Sequence, residues 1–132
     1  MDNIFNYPVQ ILLFLFLAIT FLQSGVDKVL DWKSNLSWLT GHFSKTFLKN
    51  SVPLLLGIIL LLELVSGTLS VVGMVQFIAS GESVIGFYGA MLSAITLLML
   101  LFGQRVAKDY EGAKTIVIYF VPTIFLVYLL HQ

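Results

Sequence analysis

Residues 52–79, VPLLLGIILLLELVSGTLSVVGMVQFIA, form a long apolar run with one acid, Glu63, near its centre. About 20 apolar residues in a helix are enough to cross a bilayer core. A carboxylate within such a helix is costly against lipid, so it should face other helices. A lone span has no interior, and Glu63 therefore implies a bundle. Hydrophobic residues make up 58% of the chain and charged residues 11%, and the mean hydropathy is +0.97. A soluble domain of 132 residues lacks the polar surface to cover so much apolar material, so lipid is the expected solvent. Zero net charge removes the electrostatic case for nucleic acid as a partner. The chain has no cysteine, which excludes disulfides, thiol redox chemistry and thiolate-held metals or clusters.

The pattern predicts an all-α, integral membrane four-helix bundle in one domain, with spans over residues 9–30, 52–79, 84–102 and 115–130. Pro8 suits a first helical turn. No Lys or Arg precedes the first apolar run and no small-residue cleavage site follows it, so it reads as a retained span, not a signal peptide. Residues 32–50 are too polar to span. Leu36, Leu39, Phe43 and Phe47 fall near one helical face, and Trp32 and Trp38 are residues that favour the headgroup layer. They predict an amphipathic interfacial segment between the first two spans, broken near Gly41, with a plain polar loop as the alternative. Small residues recur at helical spacing in the second span (Gly57, Ser66, Gly67, Ser70, Gly73) and the third (Gly86, Gly89, Ala90, Ser93), where they permit close helix approach. Pro122 removes one backbone bond from the fourth span and predicts a kink there.

Chemistry-bearing residues are few. Glu63 is ten residues past Pro53, or about 15 Å into a core about 30 Å thick. Thr20, Ser93, Thr96 and Thr123 fall at comparable depths, and no second acid or base does. Two readings follow: a proton-relay or ligand-binding carboxyl, or an uncharged acid that pins the helices by bonding to these hydroxyls. At the basic end, Gln23 and Asp27 share a helix face, as do Ser24 and Lys28. With Arg105, Lys108 and Asp109 leaving the third span they suggest an ionic corner in which Asp27 pairs with Arg105 or Lys108; an ordinary interfacial helix end with a snorkelling lysine is the alternative. His42 and His131 are expected a membrane thickness apart, so they suggest no metal site. No nucleophile, phosphate-loop or metalloprotease motif is present.

Three stretches, FLQSGVDKVLDW, LLLGIILLLELVSGTLSVVG and LLMLLFGQRVAKDYEGA, resemble the DoxX/DoxD family of small four-helix membrane proteins. The pattern is S-G-x-x-K followed by a central E-L-x-x-G, carried here by Ser24, Gly25, Lys28, Glu63, Leu64 and Gly67. Some members of that family are subunits of thiosulfate:quinone oxidoreductase, and others sit in membrane oxidoreductase assemblies. The resemblance implies a bacterial or archaeal cytoplasmic (inner) membrane and other membrane-protein subunits as partners, and it is compatible with a homo-oligomer. It supplies no catalytic residues. Two functions are therefore expected. The first is a non-catalytic subunit that scaffolds or anchors a larger respiratory or redox complex. The second is a quinone- or lipid-binding component that uses the Glu63 region, with quinone as the one cofactor in view. A transporter ranks third, because the chain is short and has one midplane charge.

All seven Lys and Arg residues fall in the two connections that four spans place on one side or, for Lys28, in the last turn of the span leading into one, leaving the other side with none. The positive-inside rule makes that side cytoplasmic and puts both termini outside. Reporter fusions are expected to give a cytoplasmic signal within 34–49 and an external one at the C-terminus; a cytoplasmic C-terminal signal would reject this orientation.

Overall fold

Proline at the start of two apolar runs, and glycine at the end of one, bound helices long enough to span. The computed structural model describes residues 2–131 and, among them, contains helices and no strand. The helices are α1 (Asp2–Asn6), α2 (Pro8–Leu30), α3 (Trp32–His42), α4 (Val52–Ser80), α5 (Val84–Val106) and α6 (Tyr110–His131). Pro8 and Pro53 sit in the first turns of α2 and α4, where a missing N–H costs nothing. Gly81 ends α4 in the left-handed region (φ 76°), its N–H bonding the Phe77 carbonyl. Four helices, α2, α4, α5 and α6, are long and apolar enough to cross a membrane.

Two of these helices outrun the expected spans. α5 continues to Val106 and α6 begins at Tyr110, so a connection expected over residues 103–114 shrinks to three residues. Hydropathy marks the bilayer edge, while Gln, Arg, Glu and Lys are good helix formers that carry the helices past it. The reversal needs a left-handed residue, which is Lys108 at φ 59°. Asp109 Oδ1 then accepts the Gly112 N–H and starts α6. α6 is helical through Pro122. The interfacial segment is helical only over Trp32–His42; a chain of turn hydrogen bonds from Gly41 to Ser51 follows. Leu36, Leu39 and Phe43 are half-buried as the pattern predicts. Phe47 is 74% exposed, because the helical register ends before reaching it.

The helices pack in chain order, α2 on α4, α4 on α5 and α5 on α6, with α2 meeting α6 more lightly. Glycines set the registers. Gly73 lies against the Gly86 backbone, and Gly89 lies against Leu69 and Ser70, so α4 and α5 run antiparallel in near contact. Continuing that register places Ser66 level with Ser93 and Glu63 level with Thr96. On the other flank, Gly25 lies against Leu64 and Gly67 against Leu22. An apolar core of Phe14, Leu17, Phe21, Phe77, Ala90, Leu97 and Leu126 fills the interior. Outward faces are also apolar, with Leu12, Leu54, Leu61 and Ile118 all at least 60% exposed. Burying Glu63, Ser66, Ser70, Ser93, Thr96 and Thr123 while exposing leucine suits a lipid solvent.

The α4–α5 contact leaves no room for a side chain at Gly73. Gly73→Val is expected to lower stability by about 1–3 kcal/mol, the usual cost of overpacking. Gly41, with nothing within 4 Å of an added Cβ, should tolerate alanine without loss. Thermal unfolding in detergent checks both; equal melting of the two variants would refute the close approach.

Candidate functional site: a buried ion pair beside an apolar cavity

α2 is shorter than α4 at the basic end, and this mismatch builds the site. Gly25 on Leu64 and Trp32 near Gly57 define the register of the two helices. It brings the end of α2 level with the third turn of α4. The first two turns of α4 extend beyond, and α3 folds back against them. Lys28, two residues from the end of α2, is thereby level with the interior of α4. Its Nζ lies 3.0 Å from Glu63 Oε1 and 3.2 Å from Oε2, and it donates to Ser24 Oγ at 2.7 Å. The Glu63 side chain is 2% exposed and that of Lys28 18%. Charge-assisted bonding is what makes such a carboxylate tolerable away from water.

Glu63 is therefore interior, as its sequence context requires, but it is not solitary. Equal residue counts from the basic end mean equal depth only where neighbouring helices end in one plane, and α2 ends short of α4. Nor do the level hydroxyls bond it. Ser93, Thr96 and Thr123 donate to the carbonyls of Gly89, Leu92 and Tyr119, each four residues back on its own helix. Ser70 does the same to Ser66. A hydroxyl in an apolar helix is satisfied most simply this way. Thr20 is only half-buried. Ser66 Oγ is buried with no hydrogen-bond partner.

The expected ionic corner is divided. Lys28 turns inward to Glu63, while Gln23, Asp27, Arg105 and Lys108 are exposed. Among the described residues Asp27 makes no ion pair with Arg105 or Lys108; Arg105 instead lies over the Tyr110 ring at 5.0 Å. Solvent removes the incentive for such a pair, since exposed ions gain little from each other. Asp109 meets His42, whose Nε2 is 3.6 Å from Asp109 Oδ2 and 3.0 Å from Gln104 Oε1. Trp38 stacks on the His42 ring. This link ties the two basic connections to one end of the bundle. His131 lies at the other end of α6, against Phe87, about 30 Å away by helix rise.

Between α3, the turns after it, α4 and α5 lies a cavity of about 610 Å³. Its wall is apolar, with Trp38, Leu39, Leu56, Ile59 and Met99 among the lining residues. Among the described residues Lys28 is the single charged one on that wall, and Asn35 and Gln104 add amides. Sequence reasoning missed both the cavity and the Lys28–Glu63 pair. A signal for the pair was present: the segments carrying Ser24, Gly25 and Lys28 and carrying Glu63, Leu64 and Gly67 pack against each other, Gly25 on Leu64 and Lys28 on Glu63.

Compared with models of known protein families, with curated proteins and with solved structures, the chain matches none.

Removing one member of a buried pair strands the other, at a typical cost of about 3–5 kcal/mol. Lys28→Met and Glu63→Leu are each expected to destabilise the bundle strongly, and the double variant less than the sum of the two. Glu63→Gln, adequate for an uncharged bridging acid, should here weaken the fold, because the ammonium loses its counter-charge. A thermodynamic cycle in detergent measures the coupling; additive losses would show that the pair carries none.

Proposed function

We propose that the chain is a membrane-embedded binding component, holding an apolar small molecule of the quinone or lipid class in the cavity beside Lys28 within a larger membrane assembly. One observation carries this reading. The charged end of Lys28 is paired with Glu63, and Lys28 is, among the described residues, the only charged one on a largely apolar cavity wall. A volume near 610 Å³ is in the usual range for small-molecule sites, which are mostly apolar with a few placed polar groups. The sequence resemblance to the DoxX/DoxD family supports a redox assembly in a bacterial or archaeal inner membrane, and the one-sided placement of Lys and Arg supports a cytoplasmic basic face. Any electron transfer then belongs to a partner subunit, and this chain supplies the site.

A second reading is favoured by the pair itself. Ser24, Lys28 and Glu63 bond one another across α2 and α4 without a ligand, which is what a pin between the two helices requires. On that reading the chain is a non-catalytic scaffold or anchor.

Mild-detergent purification of the full chain, followed by mass spectrometry of co-purifying small molecules and subunits, separates the two. Ile59→Phe, which narrows the cavity, is expected to reduce the bound small molecule about tenfold while subunits remain. If subunits are retained and no small molecule is enriched in the unmodified protein, the binding reading falls and the scaffold stands.

A further inference from the structure

The electrostatics of the pair restrict what the cavity accepts, on the reading that it binds a small molecule at all. We infer that the cavity selects an uncharged amphiphile with a carbonyl head that accepts a hydrogen bond from Lys28, and that Glu63 is the residue that excludes anions.

A lone lysine on an apolar wall would select anions. This one is already neutralised, with Glu63 oxygens at 3.0 and 3.2 Å. An anionic head would place two negative charges on one ammonium in a poorly screened setting, leaving a net buried charge. A cationic head would meet the ammonium itself. An uncharged head adds no net charge. Lys28 also specifies which uncharged head fits. An ammonium has three donors and no acceptor. Ser24 takes one and the Glu63 carboxylate a second, so the third is available to an occupant with an acceptor oxygen. Asn35 and Gln104 line the same wall; Asn35 Nδ2 donates one hydrogen to the Asp31 carbonyl and Gln104 Oε1 is engaged by His42, which leaves each amide an N–H for a carbonyl. The remaining wall is apolar and suits a hydrocarbon tail. Ile95, Leu98, Met99 and Phe102 line the cavity and are also exposed on the outer surface of α5. An occupant therefore has a side entrance from the hydrocarbon layer. A quinone ring and a glyceride ester share this chemistry.

Trp38 lines the cavity, and Trp32 is the only other tryptophan, so a Trp32→Phe background reports the site by fluorescence. Decylubiquinone, a quencher, is titrated into the full chain in detergent, then displaced with dioctanoylglycerol or with dodecyl phosphate. Saturable quenching is expected, with dodecyl phosphate at least about tenfold weaker as a competitor than the uncharged probes. Dioctanoylglycerol competing more tightly than decylubiquinone binds assigns the site to glycerides, and the reverse assigns it to quinones. Glu63→Gln is expected to invert the charge preference, making dodecyl phosphate the tightest of the three, which a purely structural role for Glu63 would not do. Should that variant fail to fold, the preference of the unmodified protein decides alone. Dodecyl phosphate binding as well as or better than the uncharged probes in the unmodified protein overturns the inference and leaves the cavity reading intact. No saturable binding of any probe overturns both.

Discussion

The Lys28–Glu63 pair is the interaction on which the rest of the architecture depends. In a bilayer, apolar surface gives helices little reason to prefer each other over lipid. Close packing and polar contacts must choose the register. A slip of one turn between α2 and α4 would move their side chains about 5.4 Å apart, leaving an ammonium and a carboxylate unpaired in the interior. The same slip would push Gly25 away from Leu64 and Gly67 away from Leu22, contacts where an added Cβ would press on a leucine side chain. Three neighbouring contacts therefore specify one alignment, and the charged one carries the largest penalty for error.

That alignment has a geometric consequence. α2 stops at Leu30 while the first turns of α4 continue toward the basic end. A bundle of four equal helices would close there. Here the missing length of α2 leaves space, and α3 with its trailing turns covers it. No residue of α3 is fully buried, so its own packing holds it loosely. His42 supplies an anchor by reaching Gln104 and Asp109 across the gap between the connections. Asp109 also caps α6, so the start of the fourth span and the cover over the cavity share one side chain.

The sequence made the four spans, the shared side of the polar connections and the inward direction of Glu63 legible, because each follows from the cost of polarity in lipid. It did not reveal where Lys28 points. Counting residues from a helix end yields depth only if neighbouring helices end together, and α2 and α4 do not. Ser93, Thr96 and Thr123 are buried and Thr20 only half so, yet the three buried hydroxyls spend their protons on their own helices. Burial is read from pattern, but a bonding partner depends on side-chain direction and inter-helix distance. Asp27 illustrates the same limit, since it shares an end of the bundle with Arg105 and Lys108 but faces solvent. The paired motif segments held the best unused information: two small-residue clusters flanking one base and one acid are what a close, charge-matched helix contact looks like before folding.

The distribution of polarity along the bundle axis also bears on what the interior can do. Starting from the basic end, the cavity reaches Lys28, which is paired with Glu63. Beyond them come Thr96, Ser66 and Ser93, then Ser70, all buried and, except for Ser66, bonded within their own helices. Past Ser70 the interior closes on Phe14 and Phe77, with Gly73 lying directly on Gly86. A solute that reached Glu63 would meet hydroxyls whose protons, Ser66 apart, are already committed, then aromatic rings and touching backbones. A conducting path needs groups that can replace solvation along its whole length. This interior offers them only near the basic end. Such an arrangement favours a pocket with a closed floor over a route across the membrane, and it places any chemistry involving Glu63 on the side where the cavity opens.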